Sequence, residues 1–129
     1  MKYVYPAILS PDSSGGYTVA FPDLLGCVTE GDTLSDALVM ASDAMSGWLY
    51  GAERHGDVIP PPSELKHVAL ESGETVSYVL ADTDAYRKTV ESFAVKKTLT
   101  IPSWLNEKAE AANVNFSKVL QDALVQQLV

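Results

Sequence analysis

One cysteine, Cys27, in 129 residues leaves no partner for an internal disulfide, and a lone thiol of this kind reads as a small buried hydrophobe. No apolar run approaches the roughly 18–20 residues that span a bilayer. The opening residues 1–6 have no apolar stretch long enough for a signal peptide, so a cytoplasmic protein is expected. Histidine is nearly absent: His55 and His67 lack metal-ligand spacing, and no metal or other cofactor is expected. Basic side chains are also few. Nine Lys and Arg face seventeen Asp and Glu, a net charge of −8, which argues against a chain that binds nucleic acid along its whole length.

The shortage is uneven. Residues 1–94 hold five basic side chains against fourteen carboxylates, a net of −9, whereas residues 95–129 hold Lys96, Lys97, Lys108 and Lys118 against Glu107, Glu110 and Asp122, a net of +1. A polyanion is repelled by the first part and tolerated by the second, while a basic protein partner suits the first. Apolar residues make up 47% of the chain, enough for a real core, and there is neither an internal repeat nor a low-complexity stretch.

The first part reads as α+β. Residues 2–9 (KYVYPAIL) and 17–21 (YTVAF) are β-branched and aromatic and flank the turn cluster 11–16 (PDSSGG), which predicts a hairpin. Pro6 inside the first run argues for an edge position or a bulge. A short extended piece around Cys27–Thr29 is closed by Gly31. Leu34, Ala37, Leu38, Ala41, Met45, Trp48, Leu49 and Ala52 recur at helical spacing, predicting a helix over 33–55 with Thr33 as N-cap and Gly56 as its stop. After Pro60-Pro61-Pro62, residues 66–70 (KHVAL) are expected as a short edge strand and 75–82 (TVSYVLAD) as another. Together these make a small sheet with one long amphipathic helix packed on it, over residues 1–82. Residues 83–94 read as a mostly polar junction with room for a turn of helix.

The last 35 residues change pattern. Residues 95–101 (VKKTLTI) alternate, Leu105, Ala109 and Ala112 suggest a helix over 103–112, and Phe116, Val119, Leu120, Ala123, Leu124 and Leu128 mark a second over 116–128. Neither helix can bury its apolar stripe alone, a single strand has two bare edges, and the segment is too small to hold a core. Two copies remove all three difficulties: the strands pair into a ribbon, and the helices bury Leu99, Ile101, Leu105, Val119, Leu120 and Leu124 together. Alternation then turns Lys96, Thr98 and Thr100 outward, a short polar and cationic face of a width that enters the DNA major groove. Asn115 caps the last helix, and the backbone N–H groups of Phe116, Ser117 and Lys118 are expected to face a phosphate.

The stretch KKTLTIPSWLNEKAEAANVNFSKVLQDALVQQL resembles the ribbon-helix-helix repressors. The stretch YPAILSPDSSGGYTVAFPDLLGCVTEGDTLSDALVMASDAM resembles the N-terminal domain of HicB antitoxins. Together they cover nearly the whole chain. The resemblance implies a partial RNase H-like domain that binds a HicA toxin, a small basic ribonuclease. It also implies a C-terminal module that dimerises and represses the chain's own operon. Carried onto this sequence, the ribbon positions fall on Lys96, Thr98 and Thr100, and the phosphate-binding helix start on Asn115, Phe116, Ser117 and Lys118. Tyr17, Asp23, Glu30 and Asp32 are the candidate toxin contacts. The expected assembly is a homodimer through residues 95–129, with a tetramer open if the sheets pair again.

An enzyme is not expected. RNase H-like nucleases need carboxylates converging on metal ions, whereas Asp12, Asp23, Glu30 and Asp32 occupy turn and loop positions. The competing reading is a stand-alone ribbon-helix-helix repressor whose first domain senses a small ligand.

Overall fold

The computed structural model describes residues 1–129, which divide into two compact units, Met1–Phe93 and Ala94–Val129. In the first unit the strands β1 (Lys2–Pro11), β2 (Tyr17–Ala20), β3 (Val28–Gly31) and β4 (Thr75–Asp82) form one antiparallel sheet in the order β3-β2-β1-β4. The helix α1 (Leu34–His55) covers one face of the sheet, and α2 (Thr83–Val90) follows β4 directly. The second unit contains α3 (Ser103–Ala111) and α4 (Phe116–Leu128). The whole is thus a mixed α+β chain with a four-stranded antiparallel sheet and four helices.

Strand alternation divides the sheet residues into two sets. Tyr5, Ala7 and Leu9 of β1, Val19 of β2, and Val79 and Ala81 of β4 are buried against Ala37, Ala41, Met45 and Leu49 of α1. Ala37 and Ala41, four residues apart, let the start of the helix lie close to the strands, and each large side chain fully removed from water contributes about 1.5–3 kcal/mol. Helix α1 begins at Thr33, whose hydroxyl accepts from the Asp36 N–H at 3.1 Å, and ends at Gly56 in the left-handed region at φ 69°. Gly31 is required by contact. A Cβ there would lie 2.6 Å from Ala37 Cα and 2.8 Å from Asp36 C, so β3 can pass the first turn of α1 only without a side chain.

Pro6 takes an edge position, as the sequence reading expects, although β1 as a whole is not an edge strand. It sits opposite Tyr78 in β1, an interior strand, but β2 pairs only with Ile8–Pro11, so at Pro6 the strand has β4 on one side and no second neighbour. The missing N–H is tolerated because no ladder requires it there.

Residues 66–70 are not a strand. Leu65–His67 form a single 3-10 turn, and the chain reaches β4 along a path tied down at several points. Tyr5 donates to the Pro60 carbonyl, Asp23 accepts from the Ser63 N–H and hydroxyl, and Ser10 donates to Glu74 at 2.6 Å. With its backbone committed to these anchors, KHVAL has no strand to pair with.

Residues 83–90, read as the start of a polar junction, form a helix instead. The Asp82 carboxylate caps it by accepting from the N–H groups of Asp84 and Ala85 at 3.0 and 3.3 Å. Tyr86 lies against Tyr50, ring centroids 5.5 Å apart, and a Cβ on Gly47 would come within 3.1 Å of its hydroxyl.

Candidate nucleic-acid and partner interfaces

Within one chain, residues 95–101 form no strand. The ribbon strand expected there would need hydrogen bonds to another strand, which one copy does not supply. Lys96, Thr98 and Thr100 are all exposed, and so are Leu99 (63%) and Ile101 (41%). Helix α3 and helix α4 bury no residue at all: Trp104, Leu105, Phe116, Val119, Leu124 and Leu128 are exposed. A stripe of this extent, uncovered in so small a unit, is far beyond the scattered apolar exposure of an ordinary surface.

Asn115 caps α4 as the sequence predicts, its side-chain oxygen accepting from the Lys118 N–H at 3.1 Å. That bond corrects one expectation: the Lys118 N–H is not free for a phosphate, because the cap uses it. The N–H groups of Phe116 and Ser117 have no acceptor in the chain, whereas the Lys118 ammonium pairs with Asp122 at 3.0 Å. Both partners are well exposed, so the pair is weak. Asn113, at φ 54°, makes the turn between the two helices.

In the first unit the four residues singled out as partner contacts fare differently. Tyr17 is half-buried against the core. Asp23 is half-buried with both carboxylate oxygens engaged by Ser63, at 2.9 Å to its N–H and 2.5 Å to its hydroxyl, so it serves as a strut for the proline segment. Glu30 and Asp32 are exposed and form no ion pair, beside a shallow groove in which Glu30 meets Thr18, Val28 and Met40. Asp12, weighed as a metal ligand, folds back on its own turn. It accepts from the Ser14 hydroxyl at 2.6 Å, the Ser14 N–H and the Gly16 N–H, and the Ser14 bonds hold its carboxyl below the usual carboxylate range. No three His, Cys, Asp or Glu side chains come together anywhere in the chain.

Sequence reasoning missed a second groove, of about 500 Å³, bounded by α1, α2 and the free edge of β4. Its lining includes Val39, Asp43, Leu80, Asp82 and Tyr86. The signal was present: Asp82 before a polar run is an N-cap, and a helix there creates the groove wall.

Cys27 is buried, and burial pushes its thiol up to about 11. It is therefore a neutral thiol at pH 7 and a poor nucleophile. The folded protein is expected to resist iodoacetamide at pH 8 and to react stoichiometrically in urea. Comparable rates in both conditions would contradict the burial.

A closed acidic α+β unit followed by two helices without a core of their own defines a small two-module chain whose second module requires something to cover it. The chain belongs to the HicB-like antitoxin family of bacterial toxin-antitoxin systems, whose family model matches residues 5–124. It is 51% identical over 41 residues to Antitoxin HicB 1 of Photorhabdus laumondii, which covers 32% of this chain and 26% of that protein. It is 36% identical over 61 residues to Antitoxin HicB of Escherichia coli K12, covering 47% of this chain and 44% of that one. The matched stretches thus span less than half of either relative. Among solved structures, a chain of a toxin-antitoxin complex from Streptococcus pneumoniae superposes with a TM-score of 0.65 at 27% identity, covering 98% of this chain and 99% of that chain. No helix is long and apolar enough to cross a membrane.

Proposed function

We propose that the chain neutralises a HicA-type, mRNA-degrading toxin by direct binding through residues 1–93, a partial RNase H-like unit. In the same reading it represses its own operon through a ribbon-helix-helix dimer formed by residues 94–129. The observation that carries the second half is the empty interior of the second unit, in which α3 and α4 bury nothing and Leu99, Ile101, Leu105 and Leu124 stand in solvent. A second copy covers that stripe and gives residues 95–101 the strand partner they lack. Lys96, Thr98 and Thr100 then form a two-stranded polar face for base edges, and the free N–H groups of Phe116 and Ser117 take a phosphate, with Asn115 holding the turn and the Lys118 ammonium beside it. The first half is supported by family membership, by the likeness to a chain of a toxin-antitoxin complex, and by the acidity of the first unit, which favours capture of a basic protein.

The test is a double variant, Lys96→Ala with Thr98→Ala. Affinity for the chain's own promoter fragment is expected to fall about a hundredfold or more, since each base contact contributes about 1–3 kcal/mol and symmetry doubles the loss. The dimer, measured by light scattering, and toxin neutralisation in co-expressing cells are expected to persist. A variant that loses the dimer would place these side chains inside the fold and refute the assignment of faces.

A further inference from the structure

The groove between α1, α2 and the free edge of β4 has a lining that selects its occupant. Its apolar lining is open to solvent, with Val39 of α1 68% and Leu80 of β4 57% exposed. Asp43, one turn on from Val39 along α1, Asp82 at the end of β4 and Tyr86 of α2 complete the lining. Asp82 is committed to the α2 cap and lies 3.9 Å from the Met1 amino group, whereas Asp43 forms neither an ion pair nor a hydrogen bond. The arginines of the unit do not supply the missing cation: Arg54 and Arg87 both pair with Glu91, at 3.1 and 3.2 Å.

On the free edge of β4 the Leu80 carbonyl accepts from the Ser42 hydroxyl at 2.8 Å and the Tyr78 carbonyl from the Ser77 hydroxyl at 3.2 Å, so two edge acceptors already have a donor from their own chain. The groove beside them offers a slot for a side chain with an aliphatic stem and a cationic head. The stem covers Val39 and Leu80, the head meets the free Asp43 carboxylate, and the surrounding unit, with five basic side chains against fourteen acidic ones, favours the approach of a cation.

We propose that this groove is the anchoring point of the toxin, which inserts an arginine or lysine along Val39 and Leu80 toward Asp43. The inference rests on the antitoxin reading and adds the site and the chemistry of its central contact. Arginine fits best, because its planar head can bond a carboxylate through two N–H groups while its stem stays on apolar surface.

The probe is the cognate HicA-type toxin, made catalytically inert and titrated into the full-length chain. Asp43→Lys and Val39→Glu are each expected to weaken the complex by about tenfold or more, the loss typical of an interface anchor. Their melting temperatures and operator binding are expected to match the unaltered chain, since both positions are exposed. Restored affinity when one toxin arginine is changed to glutamate against Asp43→Lys would identify the inserted residue. Unchanged affinity in both variants would overturn the inference while leaving the antitoxin reading intact. A change in oligomeric state instead of toxin affinity would assign the groove to a second copy and overturn it as well. Failure of the unaltered chain to bind the toxin would remove the antitoxin reading itself.

Discussion

A chain carrying Leu120→Glu and Leu124→Glu is expected to elute as a monomer, to lose the circular-dichroism signal of α3 and α4, and to release its operator. Leu124 is 45% exposed and Leu120 half-buried in the single chain, so neither substitution disturbs a core that one copy possesses. The damage arises on pairing. Two glutamates per chain place four carboxylates in the shared interior, and each uncompensated charge costs several kcal/mol even after water and structure relax. Each 1.4 kcal/mol is a tenfold change in affinity, so the dimer weakens by about a thousandfold or more. The first unit is expected to melt as before, followed through Trp48 after Trp104→Phe removes the other indole. A dimer that survives both charges would show that the exposed stripe of α4 is not the surface that pairs.

The smallest substitution with a large effect is Gly31→Ala. One methyl group is added, but it would come 2.6 Å from Ala37 Cα and 2.8 Å from Asp36 C, and backbone cannot turn aside as a side-chain tip does. Either β3 pulls away from β2, to which Gly31 is joined opposite Tyr17, or the first turn of α1 lifts off its Thr33 cap. Overpacking of this kind costs about 3 kcal/mol and lowers the melting temperature by roughly 15 °C in a unit of this size. The companion variant Gly51→Ala, where a Cβ meets nothing within 4 Å inside the same helix, is expected to stabilise by about 0.5–1 kcal/mol through helix propensity alone. Equal effects at the two positions would show that contact at Gly31 does not decide the outcome.

Elements that carry their own periodicity were legible. Alternation in KYVYPAIL and TVSYVLAD, and the three-and-four spacing from Leu34 to Ala52, specify β1, β4 and α1 because each buries one face in the same core. The turn and cap residues Thr33, Gly56 and Asn115 fall where their chemistry requires. What escaped depends on contacts distant in the chain. KHVAL has strand-like composition, but Tyr5, Asp23 and Ser10 anchor the segments on either side of it. The helix α2 is polar along most of its length and gains its place through Tyr86 on Tyr50, a contact no local window contains. Asp23 looked like a free acidic loop residue because Ser63, its partner forty residues on, is invisible to local reading. Lys96, Thr98 and Thr100 present the opposite case: the alternation is plain in the sequence, but residues 95–101 form no strand in the single chain, so it does not assign their faces.

The uncovered helices of the second unit also bear on dosage. If residues 94–129 pair as proposed, their interior belongs to two chains and their stability follows the logarithm of protein concentration, unlike the self-contained sheet beside them in sequence. As such a pool is diluted or degraded, residues 94–129 would come apart first, and the loosened ends would become the segment a protease grips. Repression in such a chain would then lapse at a threshold, with a response steeper than first order in copy number, while residues 1–93 stay folded below that threshold.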